Sequence, residues 1–285
     1  MQPLSRRIWK LVWLGILVLA LTILTGGVWT VLLITNLATS PNIPWAVIVM
    51  GLLLWLIWQY LIGKGWPSKT SEERRRSLRA RPLSPLVFTW ACVAGLLSIA
   101  ALTGFWIVLS QLVKIPGNPL PNFSKYPLVS VALVLIMASL VGAVTEEAGF
   151  RGYFQGALER ETSGLTAIVI AALVMAPGHG LTQGFVWPTL MFYFFTDSMF
   201  GVMAYLTQSI LPGILIHTIG LLTFFTLVWP NDAARRLVSA GGADIWFWAH
   251  IAQVLLFTTL AVLTFRHLAK LTKNLRISKQ QGNTI

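Results

Sequence analysis

The chain has 285 residues, of which 56% are hydrophobic, only 11% are charged and one is cysteine. Ordinary soluble domains carry about 25% charged residues, and apolar stretches recur here from end to end, which excludes a soluble globular protein, a disordered chain and a disulfide scaffold. The net charge of +12 comes from basic residues in the loops between those stretches, so it indicates membrane topology rather than nucleic-acid binding.

The apolar segments predict an all-α, polytopic membrane protein with about eight transmembrane helices, since a spanning helix needs roughly 20 apolar residues. The segments lie at about 11–34, 44–62, 86–112, 127–158, 165–181, 185–206, 209–229 and 245–265. They divide the chain into three parts. These are three N-terminal helices within 1–126, a central part 127–229, and a last helix with a basic tail within 230–285.

Most of the 21 lysines and arginines lie on one side of the membrane if the N-terminus is cytoplasmic. This excess predicts that both termini are cytoplasmic. The basic loop 63–85 is then a topology anchor that also contacts anionic lipid headgroups. The sequence therefore predicts a multi-pass integral protein, in a plasma or inner membrane if bacterial and in an endomembrane or plastid membrane if eukaryotic.

Ionisable side chains inside the predicted spans are few, and each costs about 2.5–3.5 kcal/mol at the centre of a membrane helix. Chains retain such residues where they pair with one another or take part in chemistry, so their positions form a functional-site hypothesis. The residues are Glu146, Glu147, Arg151, His179, Asp197, His217 and His250, the last of which is predicted to be interfacial.

The fourth segment carries three of these residues. Glu147 and Arg151 are four apart, so they share a helix face and are predicted to pair, while Glu146 points about 100° away from Glu147. A turn predicted near 162–163 makes the fourth and fifth segments an antiparallel hairpin. Glu146 and His179 are equally far from that turn, so both should lie about 25 Å from it and level with each other.

The sixth and seventh segments form a second predicted hairpin, with its turn near 207–209. The same counting places Asp197 about one helical turn from His217 in depth. In the first hairpin, Pro177 precedes His179, and together with flanking glycines it predicts a broken helix end there. Each hairpin thus offers a carboxylate and a histidine at mid-membrane depth.

A glutamate beside a histidine suits general-base activation of water, and a second histidine can donate a hydrogen bond to a developing oxyanion. This combination predicts hydrolysis of an amide or ester inside the membrane. Other hydrolase signatures are missing, since the sequence has no HExxH zinc helix and no GxSxG elbow. A small ion-coupled transporter is an alternative for buried carboxylates, but it predicts interrupted helices in repeated halves.

Residues 146–152, Glu-Glu-Ala-Gly-Phe-Arg-Gly, resemble the EExxxR motif of the CAAX protease and bacteriocin-processing family, also called the CPBP or Abi family. The family's FxxxH motif corresponds to Met175 through His179, with Met in place of Phe. Its HxxxN motif corresponds to His217 through Leu221, with Leu in place of Asn. The resemblance covers roughly 127–226 and implies that the central part is the catalytic core of an eight-helix intramembrane endopeptidase.

The resemblance implies that Glu146 and His179 activate the water, that Glu147 and Arg151 brace the site, and that His217 stabilises the oxyanion. It also implies that the substrate is a membrane protein or membrane-associated peptide. The family's better-supported mechanism is glutamate-dependent and requires no cofactor. A divalent metal such as zinc is the alternative, and Glu146, His179 and His217 would then be its ligands.

Leu221 cannot donate a hydrogen bond, and loss of one oxyanion donor typically costs about 10²–10³ in rate. One hypothesis is that Asp197 compensates, either by orienting His217 or by donating to the oxyanion in its protonated form. The other is that this chain is a catalytically weak or inactive family member that acts as a membrane scaffold or partner protein. The substitutions at Leu221 and Met175 favour this second hypothesis.

Overall fold

A computed structural model describes residues 4–39, 43–115 and 123–282. It is 86% helical, and no strand occurs within those ranges. Seven helices are long and apolar enough to cross a membrane. The predicted all-α, polytopic class is therefore confirmed, while the cytoplasmic placement of both termini and the division into three parts remain predictions.

Each predicted apolar segment is occupied by a helix, and the second of them, at 17 residues, is shorter than the seven candidate spans. The seventh segment, a helix over Leu211–Thr223, continues through a π-helical turn at Phe224–Val228 into a 3-10 stretch at Trp229–Ala234. The helices are α1 Leu4–Ala38, α2 Trp45–Leu61, α3 Ser71–Leu78, α4 Pro85–Leu112, α5 Leu128–Leu158, α6 Gly164–Gln183, α7 Trp187–Thr207, α8 Leu211–Thr223, α9 Val238–Gly241 and α10 Ile245–Gly282.

The two predicted hairpins form where their turn signals lie. Ser163 caps the start of α6, because its hydroxyl accepts a hydrogen bond from the Thr166 amide at 3.2 Å. Gln208 ends α7 in the left-handed conformation, with φ of 55°, and α8 begins three residues later. The two hairpins pack against each other, with α6 along α7 and α5 along α8.

The broken helix end predicted at Pro177 is wrong, because α6 continues through this proline to Gln183. A proline removes one backbone donor, whereas an open helix end in lipid would leave several backbone groups unsatisfied. Continuing the helix therefore costs less than ending it at this depth.

The central helix is α4, which packs against α7, α8 and α10. Trp106 of α4, Phe200 of α7 and Ile216 of α8 are almost completely buried in this core. By contrast, α1 and α10 expose large apolar side chains along most of their length, such as Leu24 and Leu255. These two helices present the kind of surface that lipid covers in a membrane protein.

The basic loop 63–85 does not stay apart from the helices, because two of its arginines are buried. Arg74 donates to the carbonyl oxygens of Tyr60 at 2.9 Å and Pro67 at 3.0 Å. The backbone of α3 also approaches α5 closely at Gly152, where a Cβ would lie 2.8 Å from the Leu78 carbonyl oxygen. The loop therefore packs against α5. Its exposed residues, such as Arg75 and Arg76, are the ones that remain available for the predicted contact with anionic lipid.

Candidate active site

The polar residues of the fourth span lie where α5 changes its helical form. The helix is α-helical to Glu146, π-helical over Glu147–Phe154 and α-helical again over Gln155–Leu158. A π-helical turn holds more residues than an α-helical turn, so it alters the angle between successive side chains and is frequent at functional sites. This change directs both Glu146 and Glu147 toward the same neighbour on α8.

That neighbour is His217, which lies between the two carboxylates. Its Nδ1 is 3.1 Å from Glu147 Oε1, within hydrogen-bonding distance. Its Nε2 is 3.5 Å from Glu146 Oε2, a contact that does not form a hydrogen bond. Glu147 and His217 are buried, and Glu146 keeps a side-chain exposure of 15%. One imidazole thus joins both glutamates of the EExxxR motif.

Space for the Glu147 carboxylate comes from Gly213, one turn before His217 on α8. A Cβ at Gly213 would lie 2.5 Å from Glu147 Oε2, closer than real Cβ atoms approach other atoms. The carboxylate oxygen Oε2 is buried and forms no hydrogen bond within the described residues. A glycine at this position therefore allows α8 to approach α5 closely enough for the contact between Glu147 and His217.

Arg151 is the cation of the site, and its side chain is almost fully buried. Its guanidinium lies 3.6 Å from Glu147 Oε1, which places the two residues as the predicted pair. It also donates to Asp197 Oδ1 at 2.8 Å and to the Asp197 carbonyl oxygen at 3.2 Å. A further hydrogen bond of 3.1 Å goes to the sulfur of Met175. Met175, which replaces the motif Phe, is therefore an acceptor for Arg151.

Asp197 does not orient His217 directly, so that part of the hypothesis needs correction. Both ring nitrogens of His217 face glutamates, and the Asp197 carboxylate is bound to Arg151. Since an arginine is a stronger and more complementary partner for a buried carboxylate than an imidazole, Asp197 reaches the histidine only through Arg151 and Glu147. We call Glu146, Glu147, Arg151, Asp197 and His217 the interior cluster.

His179 lies on α6 and stacks on Tyr193 of α7, with ring centroids 3.7 Å apart and planes inclined by 7°. Glu146 contacts His217. Its predicted pairing with His179 stays a prediction.

Leu221 and the first glutamate of the motif both approach Gly142 of α5. A Cβ on Gly142 of α5 would be 2.9 Å from Leu221 Cδ1 and 3.9 Å from Glu146 Oε1. The apolar side chain of Leu221 therefore occupies space next to the Glu146 carboxylate, where it offers no hydrogen-bond donor.

Two residues that stack on the histidines of the site, Tyr193 and Phe200, were not predicted from the sequence. Phe200 stacks on His217 with ring centroids 4.5 Å apart, just as Tyr193 stacks on His179. They stand four residues before and three residues after Asp197, so all three lie on one face of α7. That spacing around a buried carboxylate was the signal that could have identified them.

Within the ranges 4–39, 43–115 and 123–282, no group of three or more His, Cys, Asp or Glu side chains is placed to hold a metal ion. Zinc binding by Glu146, His179 and His217 was the alternative to a metal-free site, and neither prediction has been tested.

Comparison with known proteins gives one family match. The sequence model described as Type II CAAX prenyl endopeptidase Rce1-like matches residues 128–223, which run from the start of α5 to the end of α8. No curated protein and no solved structure matches the chain. The matched segment contains the whole interior cluster, His179 and Tyr193. Residues 128–223 are thus similar to the CAAX prenyl endopeptidase family, which supports the resemblance that the motifs indicated.

Proposed function

We propose that this protein is an intramembrane endopeptidase in which Glu146 activates a water molecule for attack on a peptide bond. The observation that carries the proposal is the position of His217 between the two motif glutamates, inside a helical membrane protein that matches a family of endopeptidases. The substrate is a membrane protein or a membrane-associated peptide.

Glu146 has the properties of a general base. Its Oε2 is buried and forms no hydrogen bond within the described residues, so it can accept one from a water molecule. The interior cluster holds three carboxylates and one arginine, so the single guanidinium cannot neutralise all three carboxylates. Arg151 contacts Glu147 and Asp197 directly, which leaves Glu146 as the carboxylate that can accept a proton.

The reaction proceeds in two stages. Glu146 removes a proton from water while the hydroxide oxygen bonds to the carbonyl carbon of the peptide, forming a tetrahedral intermediate. The proton then passes to the leaving nitrogen as the C–N bond breaks, giving an amine and a carboxylic acid. His217 Nε2, next to Glu146, is placed to share that proton, and Glu147 fixes the imidazole through Nδ1.

The other residues position these groups. Arg151 holds Glu147 and is itself held by Asp197. His179 is the second histidine of the water site by resemblance to the family, and Tyr193 fixes the plane of its ring. None of these steps requires a metal, and the involvement of a metal would be detected as a loss of cleavage after chelation.

The test compares protein termini in membranes of the native host that carry wild-type protein, Glu146→Gln or Glu161→Gln. Glu161 is the matched control, because it is 38% exposed and pairs with Arg7 at the end of the α5–α6 hairpin. New termini present with wild type and Glu161→Gln but absent with Glu146→Gln are the expected result, and they would also identify the substrate.

The competing function is a membrane scaffold without catalytic activity, which the apolar Leu221 beside Glu146 favours. A scaffold predicts identical termini in all three membranes. A phenotype that survives Glu146→Gln would then belong to the scaffold, whereas a catalytic role requires that the phenotype disappear.

A further inference from the structure

His217 can share a proton as proposed in only one orientation of its ring, with Nδ1 toward Glu147 and Nε2 toward Glu146. A half-turn of the imidazole would put carbon atoms at both places. Torsions that end in a planar group have broad minima, so the side chain does not fix this orientation by itself. Only the Nδ1 contact, at 3.1 Å, is a hydrogen bond, and its acceptor oxygen is also approached by Arg151 at 3.6 Å. The glutamates alone therefore hold the plane of the ring weakly.

Phe200 of α7 makes a direct contact with this imidazole. The two rings stack with centroids 4.5 Å apart and planes inclined by 20°. Offset stacking at such a separation is attractive, and it resists rotation of one ring against the other. Phe200 is only 1% exposed, and it packs in the same apolar core as Ile216, which directly precedes His217 on α8. The phenyl face is thus held in place by its own surroundings.

The phenyl ring of Phe200 also contacts the cation of the site. Arg151 Cζ lies 5.5 Å from the centroid of this ring, within the range of a cation–π contact. Arg151 and His217 are the two residues that approach Glu147 Oε1, at 3.6 and 3.1 Å. One apolar side chain therefore contacts both partners of the carboxylate oxygen that orients the histidine.

The position of Phe200 follows from the way α7 packs. Asp197, three residues earlier on the same helix face, binds Arg151 at 2.8 Å. Gly201 directly follows Phe200, and a Cβ there would lie 2.9 Å from Gln155 Oε1 of α5. The glycine therefore leaves room for α7 to approach α5 closely at the level of the interior cluster. Residue 200 lies outside the three motifs at 146–152, 175–179 and 217–221.

We propose that Phe200 is a positioning residue, whose ring holds the imidazole of His217 in the plane that directs Nδ1 to Glu147 and Nε2 to Glu146. Phe200 transfers no proton and acts only through the histidine. This inference rests on the proposed endopeptidase function and deepens it, because it identifies an apolar residue on which the orientation of the proton-sharing histidine depends.

The first test measures how fast new protein termini appear after induced expression of each variant in host membranes. Phe200→Leu keeps an apolar side chain but removes the flat face. We expect cleavage per folded protein to be about 10²-fold slower than wild type, as for a misplacement of about 1 Å in a reacting group. Phe224→Leu should cleave at the wild-type rate. It is the matched control, because Phe224 is buried in the same apolar core but its ring contacts are with Trp106, Phe192 and Trp229.

The second test observes the orientation of His217 without measuring cleavage. NMR spectra of isotope-labelled histidine nitrogens in lipid bilayers report the hydrogen bond at Nδ1, and the variant His217→Gln identifies the signals of this residue. Wild type and Phe224→Leu should give the same sharp Nδ1 signal. In Phe200→Leu this signal should shift or broaden, because the ring then adopts more than one orientation.

Stability measurements separate positioning from general packing. The unfolding temperature in detergent should fall by similar amounts in Phe200→Leu and Phe224→Leu, because each replaces a buried phenyl ring with the same smaller side chain. Phe200→Met fills more of the space with a flexible chain and should produce the same changes in rate and NMR signal as Phe200→Leu. It is the second variant where Phe200→Leu gives little folded protein.

The outcomes distinguish this inference from the function on which it rests. A wild-type rate or an unchanged His217 signal in the Phe200 variants overturns the positioning role. Equal losses of rate in Phe200→Leu and Phe224→Leu also overturn it, because the loss would then come from packing in general. If wild type and Glu146→Gln give the same termini, the endopeptidase function is overturned, whereas the NMR spectra still decide whether Phe200 fixes the imidazole.

Discussion

Arg151 and Arg79 are both buried arginines in contact with α5, but their charges are compensated in different ways. Arg151 lies among carboxylates, with Asp197 at 2.8 Å and Glu147 at 3.6 Å. Arg79, just after α3, donates to Glu159 at 3.0 Å and to the carbonyl oxygens of Arg151 at 3.3 Å and Ala204 at 3.1 Å. Charged partners surround the first arginine, and mostly backbone dipoles surround the second.

If the proposed function holds, the difference separates the residues that take part in hydrolysis from those that only stabilise the fold. Three carboxylates around one guanidinium leave the interior cluster with groups that can exchange protons, as a hydrolytic site requires. Carbonyl oxygens cannot ionise, so the contacts of Arg79 only tie the loop after α3 to α5 and α7. Removing Arg151 would leave charges without partners, whereas removing Arg79 would leave mainly neutral groups without partners.

Arg151→Met should therefore have the largest effect on stability. It removes the cation from a buried group of carboxylates, and breaking a buried ion pair typically costs about 3–5 kcal/mol. The measurement is the free energy of unfolding in detergent or bicelles. Arg7→Met is the matched control, because the pair of Arg7 with Glu161 is exposed on both sides and should be worth about 0–1 kcal/mol.

A second substitution sharpens this prediction. Adding Asp197→Asn to Arg151→Met removes one of the carboxylates left without a partner, so the double variant should be more stable than Arg151→Met alone. Equal losses for Arg151→Met and Arg7→Met would contradict the view that the interior cluster is a buried network of charges.

Hydropathy predicted the helices well, because a spanning helix must be long and apolar whatever surrounds it. The cost of burying charge also identified the members of the interior cluster, since each is an ionisable residue inside an apolar span. The partners were harder to predict. Counting residues from the 162–163 turn assumes a uniform α-helix, but the π-helical turn Glu147–Phe154 lies between that turn and Glu146.

Burial of the loop arginines was not predictable for a different reason. Arg74 and Arg79 occur in a stretch rich in charge, and such stretches are usually solvated. Their main partners are backbone carbonyl oxygens. Because every residue carries such an oxygen, no sequence pattern predicts these contacts. Gly152, which allows α3 to approach α5, likewise has no side chain that would indicate the contact.

Arg79→Met should have an intermediate effect. Hydrogen bonds to charged groups contribute about 1.5–3 kcal/mol, and this change removes the contacts to Glu159 and to two carbonyl oxygens. The free energy of unfolding should fall by about that amount, and hydrogen exchange should increase in the loop after α3. Arg76→Met, at an exposed position of the same loop, should change stability by no more than about 0.5 kcal/mol. A greater loss for Arg76→Met would contradict the assignment of Arg79 as the contact that ties the loop down.

Gly213→Ala should have the smallest effect on stability but a large effect on cleavage. The added methyl group would lie 2.5 Å from Glu147 Oε2, and the carboxylate can move away because it is the end of a flexible side chain. We expect a loss of about 1 kcal/mol, at the low end for an overpacked site. Movement of the carboxylate breaks the contact that fixes His217, so the rate at which new termini appear should fall far more than the stability does.

Gly27→Ala is the control, because a Cβ there meets nothing within 4 Å. If Gly213→Ala cleaves at the wild-type rate, then Glu147 does not position His217, and the interior cluster would resemble the Arg79 contacts in serving assembly alone.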